Sequence, residues 1–201
     1  MEVILLPPER AQGVVSVLCE AFHDYPVMRY VMGAQADYDR RLRAFVDVAV
    51  AVRMAHADPM FGIDDAPGSL VAAATVTLPD EGPPPNELVA RREALWAELG
   101  ADARARYEEY GEVSRGLLKL PRHHHLHMIG VRRAHTGRGF ARRLVEAVED
   151  LANEDPNSAG VSLTTEKEEN VAFYRHLGYQ LIGQAHVGSV DTWGFFRPRS
   201  R

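Results

Sequence analysis

The chain has 201 residues, 46% hydrophobic and 25% charged, with a formal net charge of -5 and a pI of about 6.0. Such a composition is globular and excludes a disordered tail, a collagen-like repeat and a coiled coil. It also excludes a protein whose main task is to coat nucleic acid or anionic membrane, since both need a large basic excess.

The N-terminus carries an acid and a short apolar run at residues 3–6, too short for the core of a signal peptide. No later stretch approaches the roughly eighteen apolar residues that span a bilayer. Cys19 is the one cysteine, so neither an intramolecular disulfide nor a thiolate zinc site can form, and a small apolar core residue in a reducing cytoplasm is expected.

Residues 3–6 read as a strand stopped by Pro7-Pro8, and Ala11–Phe22 has helical spacing through Val14, Val15, Leu18, Cys19 and Phe22. His23-Asp24-Tyr25-Pro26 ends that helix, because the residue before a proline avoids the α region. A second helix is expected over 38–54. Residues 60–63 and 73–78 read as a hairpin around Ala66-Pro67-Gly68, and 81–85 as a loop. From 86 to about 118 the pattern is helical but thinly apolar, which predicts helices on the outside of the sheet. A strand over 125–131, a strongly amphipathic helix over 140–151, a strand over 161–165, a short helix over 169–177 and strands at 179–182 and 192–196 complete the chain. This order predicts an α/β fold: one domain, residues 1–201, with a mixed sheet carrying helices.

Charge is uneven. Residues 1–120 hold 12 Lys+Arg against 19 Asp+Glu, and residues 121–201 hold 11 against 9. Arg132, Arg133, Arg138, Arg142 and Arg143 have no acid among them, which fits either an anion site or a solvated helix start. Between the expected strand and helix runs Thr136-Gly137-Arg138-Gly139-Phe140-Ala141, a turn whose backbone N–H groups and helix dipole suit a phosphate. It is not a P-loop, because no Gly-Lys-Ser/Thr follows, and it is a poor dinucleotide fingerprint, because Arg142 stands where a third small residue belongs. A tight strand-to-helix turn that binds nothing has the same local signature.

With Val131 before it and the helix after it, this turn resembles the cofactor motif of the GNAT superfamily of acyl-CoA-dependent N-acyltransferases. Thr136 departs from it, standing where the family usually has Gln or Arg. A second block, Asn170-Val171-Ala172-Phe173-Tyr174-Arg175-His176-Leu177-Gly178-Tyr179, resembles the family's N-x-x-x-x-Y-x-x-x-G-F/Y segment. Ala21-Phe22-His23-Asp24-Tyr25-Pro26, together with Thr192-Trp193 and Arg197, resembles the puromycin N-acetyltransferase type, which implies a small-molecule acceptor.

The resemblance implies the GNAT fold, a seven-stranded mixed sheet flanked by helices, with acetyl-CoA as acetyl donor and no metal. Residues 1–120 then form the acceptor side and 121–201 the acetyl-CoA side. Acetyl-CoA would lie where the strands at 125–131 and 161–165 splay, its pyrophosphate on Thr136, Gly137, Arg138, Gly139, Phe140 and Ala141. Backbone groups of Ile129, Gly130 and Val131 would hold pantetheine and polarise the thioester carbonyl. Asn170 would contact the cofactor, and Tyr174 would protonate the leaving thiolate.

Strand alternation puts His125 and His127 on one face with Ile129, and His124 with Leu126 and Met128 on the other. His125 or His127 is then a candidate general base, while a His-x-His metal clamp lacks an evident third ligand. The acceptor side is taken as residues 22–54 and the last hairpin, with Asp24, Tyr25 and Trp193 as candidate lining residues. The acid excess there favours a cationic amine. The expected partner is a small-molecule amine, not nucleic acid or membrane, with homodimerisation open. The competing expectations are a catalytically silent CoA-binding sensor and a protein lysine or N-terminal acetyltransferase.

Overall fold

The computed structural model describes residues 1–34, 36–80, 82–83 and 85–200. Its strands are β1 (Val3–Leu5), β2 (Met60–Ala66), β3 (Ser69–Thr77), β4 (His124–Val131), β5 (Gly160–Thr165), β6 (Gln180–Val187) and β7 (Val190–Pro198). They form one seven-stranded sheet in the order β1-β2-β3-β4-β5-β7-β6. Neighbours are antiparallel except β4 and β5, which run parallel. The helices are α1 (Ala11–Phe22), α2 (Pro26–Met32), α3 (Tyr38–Ala55), α4 (Asn86–Leu99), α5 (Ala101–Leu117), α6 (Phe140–Glu154) and α7 (Glu169–His176).

The apolar periodicity assigns each helix its face. Phe140, Leu144, Val145, Val148 and Ala152 make one buried stripe on α6, and Arg142, Glu146 and Asp150 stay exposed on the other side. That stripe packs on one face of the sheet against Ile63, Val71, Ala74, Val76, Leu126 and Leu163. On the opposite face α1, through Val14, Val15 and Leu18, and α3, through Leu42 and Val46, pack on Leu70, Ala73 and Met128. Being covered on both faces, β3 is buried from Leu70 to Val76 and loses polar alternation. Its start is therefore earlier than the residue 73 read from the pattern. Among the described residues no helix is long and apolar enough to cross a membrane.

Three expectations are corrected. Pro26 ends α1 but also begins α2, which the sequence reading did not anticipate: at the first helical position a proline's missing N–H is not needed and its φ suits the helix. The charged region after residue 86 breaks at Gly100, at φ +89°, into two helices. These helices do not simply coat the sheet, because Leu95, Trp96, Leu99 and Ala103 join the core around α1 and α3. Strict alternation in β4 also fails. Thr75 pairs with Met128 and Val76 with Leu126, leaving His127 as the extra residue of a bulge. Leu126 then shares the α6 face with Ile129 and Val131, while Met128 turns to the α1 face. Of the loop expected over 81–85, Glu81 and Pro84 lie outside the described residues.

Helix α1 reaches the β4 backbone because residue 130 is glycine. A Cβ there would lie 2.7 Å from the Ala21 Cβ and 3.2 Å from Leu18 Cδ2. Gly130→Val is expected to cost about 1–3 kcal/mol through overpacking, read as a lower urea midpoint at unchanged slope. An unchanged midpoint would show that the α1–β4 contact is loose.

Candidate active site

Strands β4 and β5 pair only at His124↔Val161 and His125↔Ser162. Beyond that point β4 stays hydrogen-bonded to β3 as far as Val131, while its other edge has no strand beside it. Backbone groups alternate along a strand, so the donors and acceptors of Ile129 and Val131 face that edge and need partners from elsewhere, while those of Gly130, expected there too, turn to β3. The splay expected from the sequence is therefore present, and it opens toward the N-terminus of α6.

That N-terminus has the donors an anion cradle needs. Gly137 and Gly139 have φ of +76° and +79°, and a Cβ at either would meet nothing within 4 Å, so backbone conformation rather than crowding calls for glycine. Helix α6 starts with no side-chain cap and no acid in its first turn, which leaves its leading N–H groups and dipole available. Arg138, Arg142 and Arg143 lie on this turn and the start of α6. The donor set of Gly137, Arg138, Gly139, Phe140 and Ala141 fits a diphosphate. Thr136, expected among these donors, stands apart from them, because its hydroxyl and its N–H both donate to the Arg133 carbonyl, at 2.9 and 3.4 Å.

On the far side of the splay, Asn170 in the first turn of α7 donates through Nδ2 to Thr165 Oγ1 at 2.9 Å. The Tyr25 hydroxyl meets the same oxygen at 2.9 Å. One helical turn on, Tyr174 is buried against Phe173, Tyr179 and Phe195. Burial, with the Glu166 carboxylate nearby, raises its pKa and keeps the phenol protonated. Tyr25, Ile129, Asn170 and Tyr174 all line one cavity of about 1100 Å³.

Glu166, which the sequence reading missed, lines the same cavity. Only 7% exposed, its carboxylate accepts from the Tyr110 hydroxyl at 2.7 Å and the Thr192 hydroxyl at 2.9 Å. Its own N–H donates to Tyr25 Oη at 3.2 Å. Burial pushes its pKa up, and hydrogen bonds from Tyr110, Thr192 and Tyr25 work against that rise. The run Glu166-Lys167-Glu168-Glu169 looks like a solvated charge cluster. The signal that could have singled out its first member is position, since ligand sites in such sheets lie beyond the carboxyl ends of parallel strands.

His125 and His127 both border the cavity, their rings 6.3 Å apart. His125 Nδ1 lies 2.9 Å from the Ser162 hydroxyl and His127 Nδ1 3.4 Å from that of Thr75. His127 is exposed to the cavity, and His125 is half-buried. Desolvation, with Arg53 adding, pushes His125 down to about 4 and His127 to about 3. Both imidazoles are neutral at pH 7 and weak acceptors for an ammonium proton.

The other acceptor-side expectations fare differently. Tyr25 is central to the site. Asp24 is exposed and outside the cavity lining, its carboxylate held by Arg29 at 2.6 Å and Arg133 at 3.0 Å. Trp193 packs with the α6-side core and does not line the cavity. The remaining walls come from α3, α4 and α5 rather than from the last hairpin. The acid excess of residues 1–120 does not reach these walls, where Arg53, Arg92, Arg104, Arg115 and Lys119 outnumber Glu108 and Glu166. The expected steering of cations is thus corrected.

The two histidines couple stability to pH. The unfolded chain takes up their protons near the ordinary 6.5, the folded chain only at lower pH, near 4 for the half-buried His125. Stability therefore falls as pH drops through that window. His125→Gln is expected to flatten the decline in urea midpoint between pH 6.5 and 4. An unaltered slope would show that His125 does not contribute.

The model of the Acetyltransferase (GNAT) family matches residues 42–179. No curated protein matches the chain significantly. Among solved structures, a histone acetyltransferase HPA2 and related acetyltransferase from Corynebacterium glutamicum ATCC 13032 is similar at 18% identity, over 100% of this chain and 97% of that one, with a TM-score of 0.75. The C-terminal condensation domain of Ebony, in complex with beta-alanyl-dopamine, is similar at 15% identity over 98% of both chains, with a TM-score of 0.64. A mosquito arylalkylamine N-acetyltransferase like 5b is similar at 13%, over 98% of this chain and 100% of that one, with a TM-score of 0.57. At such identities the likeness is one of fold.

Proposed function

The chain belongs to the GNAT acetyltransferase family, and from that premise we propose that it moves acetyl from acetyl-CoA to a small-molecule amine by direct attack of the amine on the thioester. The family uses acyl-CoA, whose thioester supplies the activated acyl group. One observation carries the reading: a backbone edge without a strand partner, the phenol of Tyr174 and the buried carboxyl of Glu166 border a single cavity.

In this reading the N–H groups of residues 137–141 hold the diphosphate. Backbone groups of Ile129 and Val131 hold the pantetheine arm and donate to the thioester oxygen as it gathers charge. Asn170, fixed by Thr165, contacts the same arm. Tyr174 gives its proton to the departing thiolate. Glu166 takes the proton from the amine. A carboxylate with a raised pKa is a better acceptor for that proton than imidazoles at about 4 and 3, so His125 and His127 serve as neutral hydrogen-bonding groups beside the amine. The segment resembling puromycin N-acetyltransferases delivers Tyr25 to Thr165 and Glu166. Walls from α2, α4 and α5 favour a small molecule over a protein chain. The presence of both proton-transfer groups argues for turnover over silent cofactor binding.

Gly139→Val is expected to abolish CoA binding in calorimetric titration, because φ +79° is strained for a β-branched residue. Normal affinity would remove the diphosphate from this turn.

Glu166→Gln and Tyr174→Phe should each lower kcat by about 10²-fold or more in a thiol-release assay, with CoA affinity retained. In the parent protein kcat should fall on acidification with an apparent pKa above the ordinary 4.5 of a carboxyl group, and Glu166→Gln should erase that limb. A limb at about 4 or lower that survives Glu166→Gln but not His125→Gln would transfer the role to His125.

A further inference from the structure

We propose that the acceptor amine carries a bulky aromatic or apolar body and that Phe45 and Tyr107, backed by Trp96, select it. The inference rests on the acetyl-transfer reading above and names the substrate class of that site.

The cavity, at about 1100 Å³, exceeds the span of about 300–1,000 Å³ usual for ligand sites. A pantetheine arm entering between β4 and β5 leaves a chamber under α3, α4 and α5 to be filled by the acceptor. There, three helices each supply an aromatic ring. Trp96 and Tyr107 are 5.0 Å apart, Phe45 and Tyr107 5.4 Å, and Phe45 and Trp96 6.3 Å. Val48, Ala49 and Val52 continue the same wall along α3. Tyr107 is 38% exposed and Phe45 only half-buried, so these two rings keep accessible faces, while Trp96, buried in the core, backs them. An aromatic body stacked there exchanges wetted ring faces for ring–ring contact.

Charge narrows the class further. Of the two carboxylates on the wall, Glu108 bonds Arg104 at 2.8 Å, and Glu166 stands at the amine end. A second ammonium on the acceptor would meet Arg92, Arg115 or Lys119 along the chamber. Polycationic amines are therefore disfavoured by the same wall that accepts an apolar body.

The test compares tryptamine, 2-phenylethylamine, ethanolamine and spermidine in a thiol-release assay with acetyl-CoA. The two aromatic amines should exceed the others in kcat/KM by at least about tenfold, the scale on which apolar pockets discriminate. Tyr107→Ala, at a partly exposed position, and Ala49→Leu, which fills the chamber, should raise the KM for tryptamine and shrink its advantage over ethanolamine. Equal or better use of ethanolamine or spermidine, a peptide amine that outranks tryptamine, or an advantage unaltered in both variants would overturn the proposal. Calorimetry of the CoA-loaded protein with the same amines separates this inference from the one beneath it. If tryptamine binds most tightly but no thiol is released, acetyl transfer fails and the chamber's selectivity stands. If thiol is released but spermidine or ethanolamine binds most tightly, the selectivity fails and acetyl transfer stands. If tryptamine does not bind at all, the selectivity fails whatever the thiol assay shows.

Discussion

Everything functional in this molecule depends on how briefly β4 and β5 hold each other. Two residue pairs join them at His124 and His125, and the strands then part. A continuous parallel ladder would satisfy the β4 edge and leave no cleft. The short ladder instead exposes a row of backbone groups in the middle of a sheet, a place where unpaired polar groups are costly unless something binds them. The bulge at His127 adds local twist and sends Leu126 and Met128, which plain alternation would put on one face, to opposite faces of β4. The neighbours hold this geometry in place, with α1 pressed on Gly130 from one side and α6 on Leu126 from the other.

Glu166 joins the two halves of the site. Its hydrogen bonds tie the end of β5 to α5 through Tyr110, to β7 through Thr192 and to the α1–α2 junction through Tyr25. A buried carboxyl with such partners is oriented but kept reluctant to ionise, since burial disfavours its charged form. The elements that line the cavity thus also set the protonation of Glu166. A shift of α5 would alter both, which links the shape of the chamber to proton transfer.

Much of this was legible in the sequence, and the rest was hidden for physical reasons. The α6 stripe, the glycine turn and the Asn170–Tyr174 spacing are local patterns within one element, and each was found where expected. Helix α2 was hidden because Pro26 reads equally as a stop and as a first helical residue. The bulge was hidden because it is a property of two paired strands, and nothing in residues 124–131 alone announces it. Glu166 sits at the head of a charged run that looks solvated until β5, β7 and α5 close around it. The aromatic wall comes from residues 45, 96 and 107, which share no motif and meet only after three helices pack.

The central claim is that the open β4 edge and the start of α6 together hold the acyl donor. Amide hydrogen exchange with and without CoA tests it residue by residue, since amides that gain a hydrogen-bond acceptor in a bound ligand exchange more slowly. The account predicts slowed exchange concentrated at Ile129, Val131 and residues 137–142. Binding of CoA that protects other segments and leaves these unchanged would contradict it.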